Sequence, residues 1–338
     1  MAVMLSEAFA FRGPGRSFTC ALSTVLLLGV AAPEVRAAAH GDRLYVSNRD
    51  AGEMSIVGTG EAEVLARLAV GKKPTYSAVT PDGRYAFAVA TGDRRLVVVD
   101  TASRKVLTKL PLGESPKGVE VTPDGKLVLV ANEGEGSNSV SIFSVGDWKA
   151  VAEVPVGKAP HNIAFAAARG LAYIANGGSA DITKIDLAAA EAVGRIALDD
   201  RGAPHNLATT PDGRYLFVAR KGSDDVAVID LEAEKVVKYI PVSKGHHAVA
   251  ASPDGRTVYV SGIGADVINV IDVASLEKVG EIPVGEGPHG VRFSPDGSKA
   301  YVAVAKSDRV AVIDTEARKV VANVEDPGFP FWLAVAAN

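Results

Sequence analysis

The sequence predicts an all-β fold, a seven-bladed β-propeller with four-stranded blades, and three observations lead to it. A repeat of 42 to 44 residues runs from about residue 42 to the end of the chain. Each repeat contains four short segments in which apolar and polar residues alternate between turn-forming residues. The chain begins and ends within the same repeat. Repeats of this length with four strands each are typical of propeller blades, which must stack around an axis to bury both faces.

The turn after the first segment of each repeat carries the motif PDG. It is degenerate at Ala167, where Ala-Ala-Arg replaces it, and intact at Pro81, Pro123, Pro211, Pro253 and Pro295. Seven residues before the turn, a proline opens the first segment in most copies; it is found at Pro74, Pro116, Pro160, Pro204, Pro288 and Pro330. His246 takes this place in the remaining copy. These turn residues predict where each first strand begins and ends.

The remaining segments of each repeat follow the same order. The second segment is of the type YLFVAR (215–220), and the fourth is of the type KVVKYIPV (235–242). The third ends in aspartate in most copies, as at Asp100, Asp230, Asp272 and Asp314. Because this aspartate recurs from blade to blade, we interpret it as a turn cap.

The two ends of the chain complete one blade. The stretch DRLYVSN (42–48) is a second strand without a first, and FWLAVAAN (331–338) is a first strand without a second. Pairing the two segments closes the ring with one strand from the C-terminus and three from the N-terminus. This 1+3 closure hides two strand edges.

Residues 1–39 predict a Sec-type signal peptide, which leaves 40–338 as a single propeller domain. Arg12 and Arg16 precede an apolar run over 18–32, and small residues follow over 35–39. The run is short for a membrane span, so we expect a periplasmic or secreted protein without one after cleavage. A retained anchor and a disordered tail are the alternatives. The single cysteine, Cys20, falls in this segment, so the mature chain has no thiol for disulfides, metal sites or nucleophilic catalysis.

The charge of the chain bears on its partners. The net charge is −4, and loss of residues 1–39 makes it slightly more negative, since that segment carries three Arg and two Glu. An acidic chain without a basic run has no general attraction to nucleic acid or to anionic membranes. We therefore expect a monomer whose partner is a small ligand or a periplasmic protein. Single-stranded nucleic acid is the less favoured alternative.

The strand motifs YVSN (45–48), LVAN (129–132), YIAN (173–176) and YVSG (259–262) resemble those of the YVTN family of β-propeller repeats. The resemblance covers the chain from about residue 42 onward and implies the propeller fold more strongly than a function. Similar repeats occur in surface-layer proteins, in exported proteins linked to quinone-dependent alcohol oxidation, and in propeller domains of some heme and quinone enzymes.

Loop lengths indicate which face of the ring binds. Ten residues separate the ends of the second and third segments in six repeats, whereas blade 3 has twelve because of NEGEGSNS (132–139). The other extra pair lies in DDRGAP (199–204). Both insertions are predicted on one face, and loops vary where function is added to a scaffold.

The residues that follow the repeat proline are predicted at the channel mouth on that face. Around the ring they are Thr75, Lys117, His161, His205, His247, His289 and Phe331. The next position holds Tyr76, Asn162, Asn206 and Trp332 among others. Four consecutive blades thus carry histidine, which the sevenfold repeat does not require. We predict a ligand site formed by His161, His205, His247, His289, Asn162, Asn206, Lys117, Tyr76 and Trp332.

Two interpretations of these histidines remain open. Neutral imidazoles are common ligands of transition metals, and three converging nitrogens with an open position suffice for a catalytic zinc. Alternatively, the histidines only hydrogen-bond the blades, having been inherited by duplication. Trp332 and Phe331 are similarly interpreted as packing at the ring closure rather than as stacking platforms. Glu133 and Glu135, with Asn132 and Asn138, match no calcium loop, and a solvated loop is favoured.

The sequence therefore predicts an exported, non-catalytic binding or scaffold protein that uses the channel mouth for a small ligand, cofactor or partner protein. No catalytic residue is assigned, and the candidate cofactor is a divalent transition metal held by His161, His205, His247 and His289. The alternative is a metal- or cofactor-dependent enzyme, or an accessory of a quinone or heme oxidoreductase pathway, at the same site. The chain contains no CxxCH motif, so covalent heme is not expected.

Overall fold

The computed structural model describes residues 41–336, with only the backbone of His246 and His247. These residues fall within one compact unit. They form seven four-stranded antiparallel sheets, so the predicted seven-bladed propeller is confirmed. The predicted signal peptide over 1–39 and Cys20 lie outside the described residues. Within 41–336, no helix is long and apolar enough to cross a bilayer.

Each blade runs from the channel outward in chain order, except blade 1. The strands of blades 2 to 4 are β4 (Pro74–Val79), β5 (Tyr85–Ala90), β6 (Arg95–Asp100), β7 (Lys105–Pro111), β8 (Pro116–Val121), β9 (Leu127–Asn132), β10 (Ser139–Ser144), β11 (Ala150–Pro155), β12 (Pro160–Ala166), β13 (Leu171–Asn176), β14 (Asp181–Asp186) and β15 (Glu191–Ala197). Blades 5 to 7 consist of β16 (Ala203–Thr209), β17 (Tyr215–Lys221), β18 (Asp225–Asp230), β19 (Lys235–Pro241), β20 (His246–Ala251), β21 (Thr257–Gly262), β22 (Val267–Asp272), β23 (Glu277–Pro283), β24 (Pro288–Phe293), β25 (Lys299–Val304), β26 (Arg309–Asp314) and β27 (Lys319–Glu325).

Blade 1 is built from both ends of the chain, as predicted. Its innermost strand is β28 (Pro330–Ala336), followed by β1 (Arg43–Asn48), β2 (Glu53–Gly58) and β3 (Glu63–Ala69). Strand β1 pairs with β28 from Arg43 opposite Ala336 to Asn48 opposite Pro330. The 1+3 closure is therefore confirmed.

The core lies between neighbouring blades, because both faces of each middle strand are covered. Five of the six residues of β5 are buried, whereas the outermost strand β7 alternates between exposed and partly buried positions. Innermost strands of adjacent blades are in contact around the whole ring. Each blade thus buries apolar surface against both of its neighbours, as expected of a repeat fold.

The PDG turns define what we call the lower face of the ring. In the first of them, Oδ1 of Asp82 accepts hydrogen bonds from Thr80 Oγ1 and from the backbone N–H of Arg84. Gly83 has a φ of 70°, a conformation that glycine adopts without strain. The third-strand aspartates also cap turns, as Asp100 does for Ser103, which confirms that prediction.

The opposite, upper face carries the loops that enter each innermost strand and those that leave each second strand. Both predicted insertions lie there, between β9 and β10 and between β15 and β16. Three short 3-10 turns interrupt the loops of the described residues, at Thr91–Asp93, Ala167–Arg169 and Ala305–Ser307.

Candidate functional site

The mouth of the channel on the upper face is formed where the innermost strands begin. In blade 4, the ladder pairs Pro160 with Asn176 and resumes only at Ile163. His161 and Asn162 therefore leave the regular strand alternation in a bulge, a device that re-aims side chains. A comparable register shift stands at the start of the innermost strand in all seven blades.

His161 lies at the centre of a charged and hydrogen-bonded group. Its Nδ1 is 2.8 Å from Oε1 of Glu133, which directly follows β9 in the neighbouring blade. Oε2 of the same carboxylate is 3.6 Å from Nζ of Lys117. The imidazole is 7% exposed. A buried imidazole is thus held between blades by a carboxylate that a surface lysine also neutralises.

The other nitrogen of His161 continues the network towards the channel axis. Nε2 lies 2.8 Å from the hydroxyl of Tyr76, and that hydroxyl lies 3.4 Å from Oδ1 of Asn206. Asn162 Nδ2 donates to the same amide oxygen, and Asn206 Nδ2 lies 2.9 Å from Nδ1 of His205. Four blades therefore contribute to one polar network, in which the single phenolic proton of Tyr76 goes to the nearer acceptor, Nε2 of His161. The rings of His161 and His205 stack 3.5 Å apart.

The chemistry of the donors fixes the tautomers. An ionised carboxylate can only accept, so Nδ1 of His161 carries the proton and Nε2 accepts from Tyr76. Asn206 Nδ2 can only donate, so Nδ1 of His205 accepts. Both ring nitrogens of His161 are consequently occupied by protein partners.

Burial and hydrogen bonding decide the charges of these groups. Burial lowers the pKa of His161, and the Glu133 carboxylate offsets this only in part. Burial alone would raise the pKa of Glu133, but the hydrogen bond from His161 and the charge of Lys117 hold it below its usual value. Burial raises the pKa of Tyr76 far above its ordinary value. At neutral pH the network contains a neutral imidazole, a carboxylate and a neutral phenol.

The other half of the mouth is aromatic. The ring of His289 packs at 4.4 Å from Phe331 and at 5.7 Å from Phe329, and the guanidinium of Arg49 lies 5.7 Å from the Phe329 ring. Burial, followed by the charges of Arg49 and Lys306, lowers the pKa of His289 to about 4. His289 is therefore neutral at physiological pH.

A layer of aromatic side chains forms the floor of the mouth. Tyr76 and Trp332 are 1% and 0% exposed, and their rings pack 4.4 Å apart. Phe331 contacts both Tyr76 and His289, and so joins the two halves of the mouth. The guanidinium of Arg292 stacks beneath Trp332 at 4.9 Å. Tyr76 and Trp332 thus support the site from below rather than line its open surface.

The structure brings most of the predicted site residues together. His161, His205, Asn162, Asn206, Lys117 and Tyr76 belong to the polar network, while His289 and Trp332 belong to the aromatic half. The side chain of His247 lies outside the described residues, so the four-histidine metal site stays a prediction. Among the described residues, no three His, Cys, Asp or Glu side chains converge in a way that could hold a metal ion.

Glu133 belongs to the polar network, although the sequence does not mark it as a site residue. The prediction of a solvated acidic loop is correct for Glu135, which is exposed, but wrong for Glu133, which is partly buried against His161. Glu133 begins the lengthened loop of blade 3, directly after the last residue of β9. Its position at the start of the lengthened loop on the upper face could have indicated a residue of the mouth, whereas its residue type could not.

Comparisons with known proteins cover most of the chain. A family model described as "Cytochrome D1 heme domain" matches residues 39–331. A comparison with curated protein sequences gave no significant match.

Three solved structures illustrate the structural likeness. A structure titled as hydrazine synthase of Kuenenia stuttgartiensis has a TM-score of 0.70 and 23% identity, over 77% of this chain and 89% of that one. A functionally unknown protein from Desulfotomaculum acetoxidans has a TM-score of 0.77 and 18% identity, over 88% and 99%. The dihydro-heme d1 dehydrogenase NirN, in complex with DHE, has a TM-score of 0.66 and 22% identity, over 88% and 66%. At these identities the likeness shows the fold alone.

Proposed function

Because the chain belongs to the cytochrome D1 heme domain family, we propose that it is an exported, non-catalytic binding protein that holds a heme-type tetrapyrrole at its upper channel mouth. The observation that carries the proposal is the neutral, buried imidazole of His289 among aromatic rings and cationic side chains. Export and a periplasmic partner protein remain part of the proposal, as does the assignment of a YVTN-type repeat.

The residue types at the mouth are suited to binding a heme-type tetrapyrrole. Heme iron is commonly held by a neutral imidazole, and a histidine whose pKa is about 4 keeps that form over the physiological range. The apolar faces of Phe329 and Phe331 match a flat macrocycle. His161 fits the role of iron ligand less well, because both of its nitrogens are engaged.

Cationic side chains stand around the same mouth and suit the carboxylates of a tetrapyrrole. Arg49 and Lys306 act electrostatically on His289, and Lys117 and Lys221 act on His161. Lys221 and Lys306 are exposed, and Arg49 and Lys117 are partly exposed. An acidic protein thus presents positive charge where an anionic ligand would bind.

Titration of the purified, untagged protein with hemin tests the proposal. We expect a saturable shift of the visible absorption band at one hemin per chain. In His289→Ala, we expect the absorption features of a histidine-ligated iron to be lost. His161→Ala, a matched change on the facing side of the mouth, is expected to keep those absorption features. An absorption spectrum that does not change in the wild-type protein, or that is unaffected by His289→Ala, would contradict the proposal.

One observation favours an enzyme as the second candidate. The hydrogen-bonded chain from Glu133 through His161 to Tyr76 can hold a proton at Nδ1 of His161 beside the mouth. A bound heme would supply redox chemistry, while Glu133 and His161 would hold a proton at Nδ1 of the imidazole. Turnover of a reduced substrate by the loaded protein, lost in Glu133→Gln while hemin affinity is retained, distinguishes the enzyme from the binding protein.

A further inference from the structure

The channel contains a second compartment below the aromatic floor, which we call the lower chamber. It has a volume of about 410 Å³, its rim includes Pro211, Pro253 and Pro295 of the PDG turns, and its wall includes Phe165, Leu207 and Phe293. This volume lies in the range of small-molecule sites, which are mostly apolar with a few placed polar groups. The proposed tetrapyrrole site on the upper face does not involve it.

The sequence explains why there is space here. The fifth residue of the innermost strand, counted from the repeat proline or its counterpart His246, is alanine in five of the seven blades. Blades 3 and 7 carry Glu120 and Arg292 at this position instead. Small side chains leave the channel open, and the two exceptions, three blades apart, place one acid and one base in it.

Glu120 and Arg292 meet across the channel. Nη2 of Arg292 donates to Oε1 of Glu120, Nη1 lies 3.3 Å from the carbonyl oxygen of Val291, and the guanidinium stacks on Trp332 at 4.9 Å. These are the charged residues that line the chamber. The stacking fixes the plane of the guanidinium, so its edge is presented in a defined direction, as in bidentate recognition of acid groups.

The acid is the more replaceable member of the pair. Burial raises the pKa of the Glu120 carboxyl, although Arg292 acts in the opposite direction. Its side chain is nevertheless 25% exposed, so the carboxylate can turn towards solvent when another acid group takes its place beside the guanidinium. Arg292 is held in place by its stacking on Trp332.

We propose that the lower chamber binds a small organic anion with an apolar body, of the medium-chain carboxylate or sulfonate class. The acid group contacts the guanidinium of Arg292 in place of Glu120, and the chain packs against Phe165, Leu207 and Phe293. Alanine side chains such as that of Ala208 provide the room for it.

Tryptophan fluorescence provides a direct test, because the chain has two tryptophans and one of them stacks on Arg292. In a Trp148→Phe variant, Trp332 is the sole reporter. Titration with sodium octane-1-sulfonate is expected to change its emission saturably, with one site per chain by calorimetry. Octan-1-ol, which has the same chain and no charge, is expected to bind at least tenfold more weakly.

Three further variants in this background locate the site. Arg292→Met is expected to weaken octanesulfonate binding at least tenfold, whereas Arg256→Met, which removes the same charge from an 84% exposed side chain near the lower face, leaves it unchanged. Ala208→Leu fills the chamber without removing Arg292 and is expected to weaken binding similarly. Far-UV circular dichroism verifies that each variant is folded. Unsaturable emission changes, equal binding by Arg292→Met, or equal affinity for octan-1-ol would each overturn the proposal.

Discussion

Nδ1 of His161 lies 2.8 Å from Oε1 of Glu133, and this contact joins the innermost strand of blade 4 to the long loop of blade 3. The carboxylate selects one tautomer of the imidazole, and through Nε2 that tautomer orients the phenol of Tyr76. A single acid on a loop therefore determines the proton arrangement of three blades. The first two predictions concern this chain of hydrogen bonds.

Glu133→Gln is expected to lower the free energy of unfolding by about 1.5–3 kcal/mol, the usual range for a hydrogen bond to a charged group. The amide keeps the shape of the side chain but loses the charge that Lys117 and His161 face. Urea denaturation at pH 7.5 measures the change. Glu135→Gln, an exposed position on the same loop, serves as the control and is expected to stay within about 0.5 kcal/mol of wild type. Equal effects of the two variants would show that the Glu133–His161 pair contributes nothing to the free energy of unfolding.

Tyr76→Phe should reveal the tautomer of His161. In the wild-type protein, Nδ1 carries the proton and Nε2 accepts from the phenol, so the two ring nitrogens give well-separated ¹⁵N resonances of the Nδ1–H form. Removal of the hydroxyl leaves a buried acceptor without its donor, which we expect to cost about 1–2 kcal/mol and to shift the Nε2 resonance.

Tyr259→Phe, at an equally buried tyrosine of a second strand, is the control for that experiment. It is expected to leave the His161 resonances in place. Resonances of an Nε2–H form in the wild-type protein would contradict the assigned direction of the hydrogen bonds.

His289 predicts a loss of stability in mild acid. Its pKa is lowered to about 4, whereas histidine in an unfolded chain titrates near 6.5. Between these values the unfolded chain binds a proton that the folded chain does not. The stabilisation is therefore complete above about pH 6.5 and is lost as the pH falls towards 4.

Comparison of wild type with His289→Phe isolates this contribution, since all other titrating groups are shared. We expect the unfolding free energy of the wild-type protein to fall by about 2 kcal/mol more than that of the variant between pH 7 and pH 4.5. Parallel pH profiles from urea denaturation would show that His289 is not neutral and buried in solution.

The propeller could be predicted from the sequence because its determinants are local and repeated. A turn such as that of Asp82 and Gly83 is specified by adjacent residues, and the alternating pattern of β5 reports which faces are buried. The positions of mouth residues such as His161 and Asn162 could be predicted as well, since they depend only on the number of residues from the repeat proline.

Contacts between side chains of different blades could not be predicted in this way. Glu133, the first residue after β9, reaches His161 in the neighbouring blade, and Glu120 meets Arg292 across 172 positions of sequence. Both depend on the curvature of the ring and on rotamers chosen in three dimensions. The sequence shows that Glu120 and Arg292 replace the alanine of the repeat, but not that their side chains form an ion pair.

A buried carboxylate that follows the last strand of blade 7 lies at the ring closure. Asp326 is 0% exposed; its Oδ1 accepts from Ser55 at 2.7 Å and Asn48 at 3.1 Å, and lies 2.8 Å from Nη1 of Arg67. All three partners belong to blade 1, so this group holds blade 7 against the blade that both chain ends complete. Asp326→Asn removes the negative charge that faces Arg67 and is expected to destabilise the protein by about 2 kcal/mol, because Oδ1 loses its charge-assisted contacts with Arg67 and Ser55, and hydrogen bonds to charged groups contribute about 1.5–3 kcal/mol.

Glu53→Gln provides the matched comparison, because Glu53 approaches the same guanidinium at 3.9 Å from a position about a third exposed. Exposed pairs of this kind contribute between about 0 and 1 kcal/mol, so this variant is expected to unfold close to wild type. Thermal and urea denaturation of both variants measure the difference. If the closure is held mainly by the β28–β1 ladder and not by this carboxylate, the two variants will be indistinguishable, and the role assigned to Asp326 will have to be abandoned.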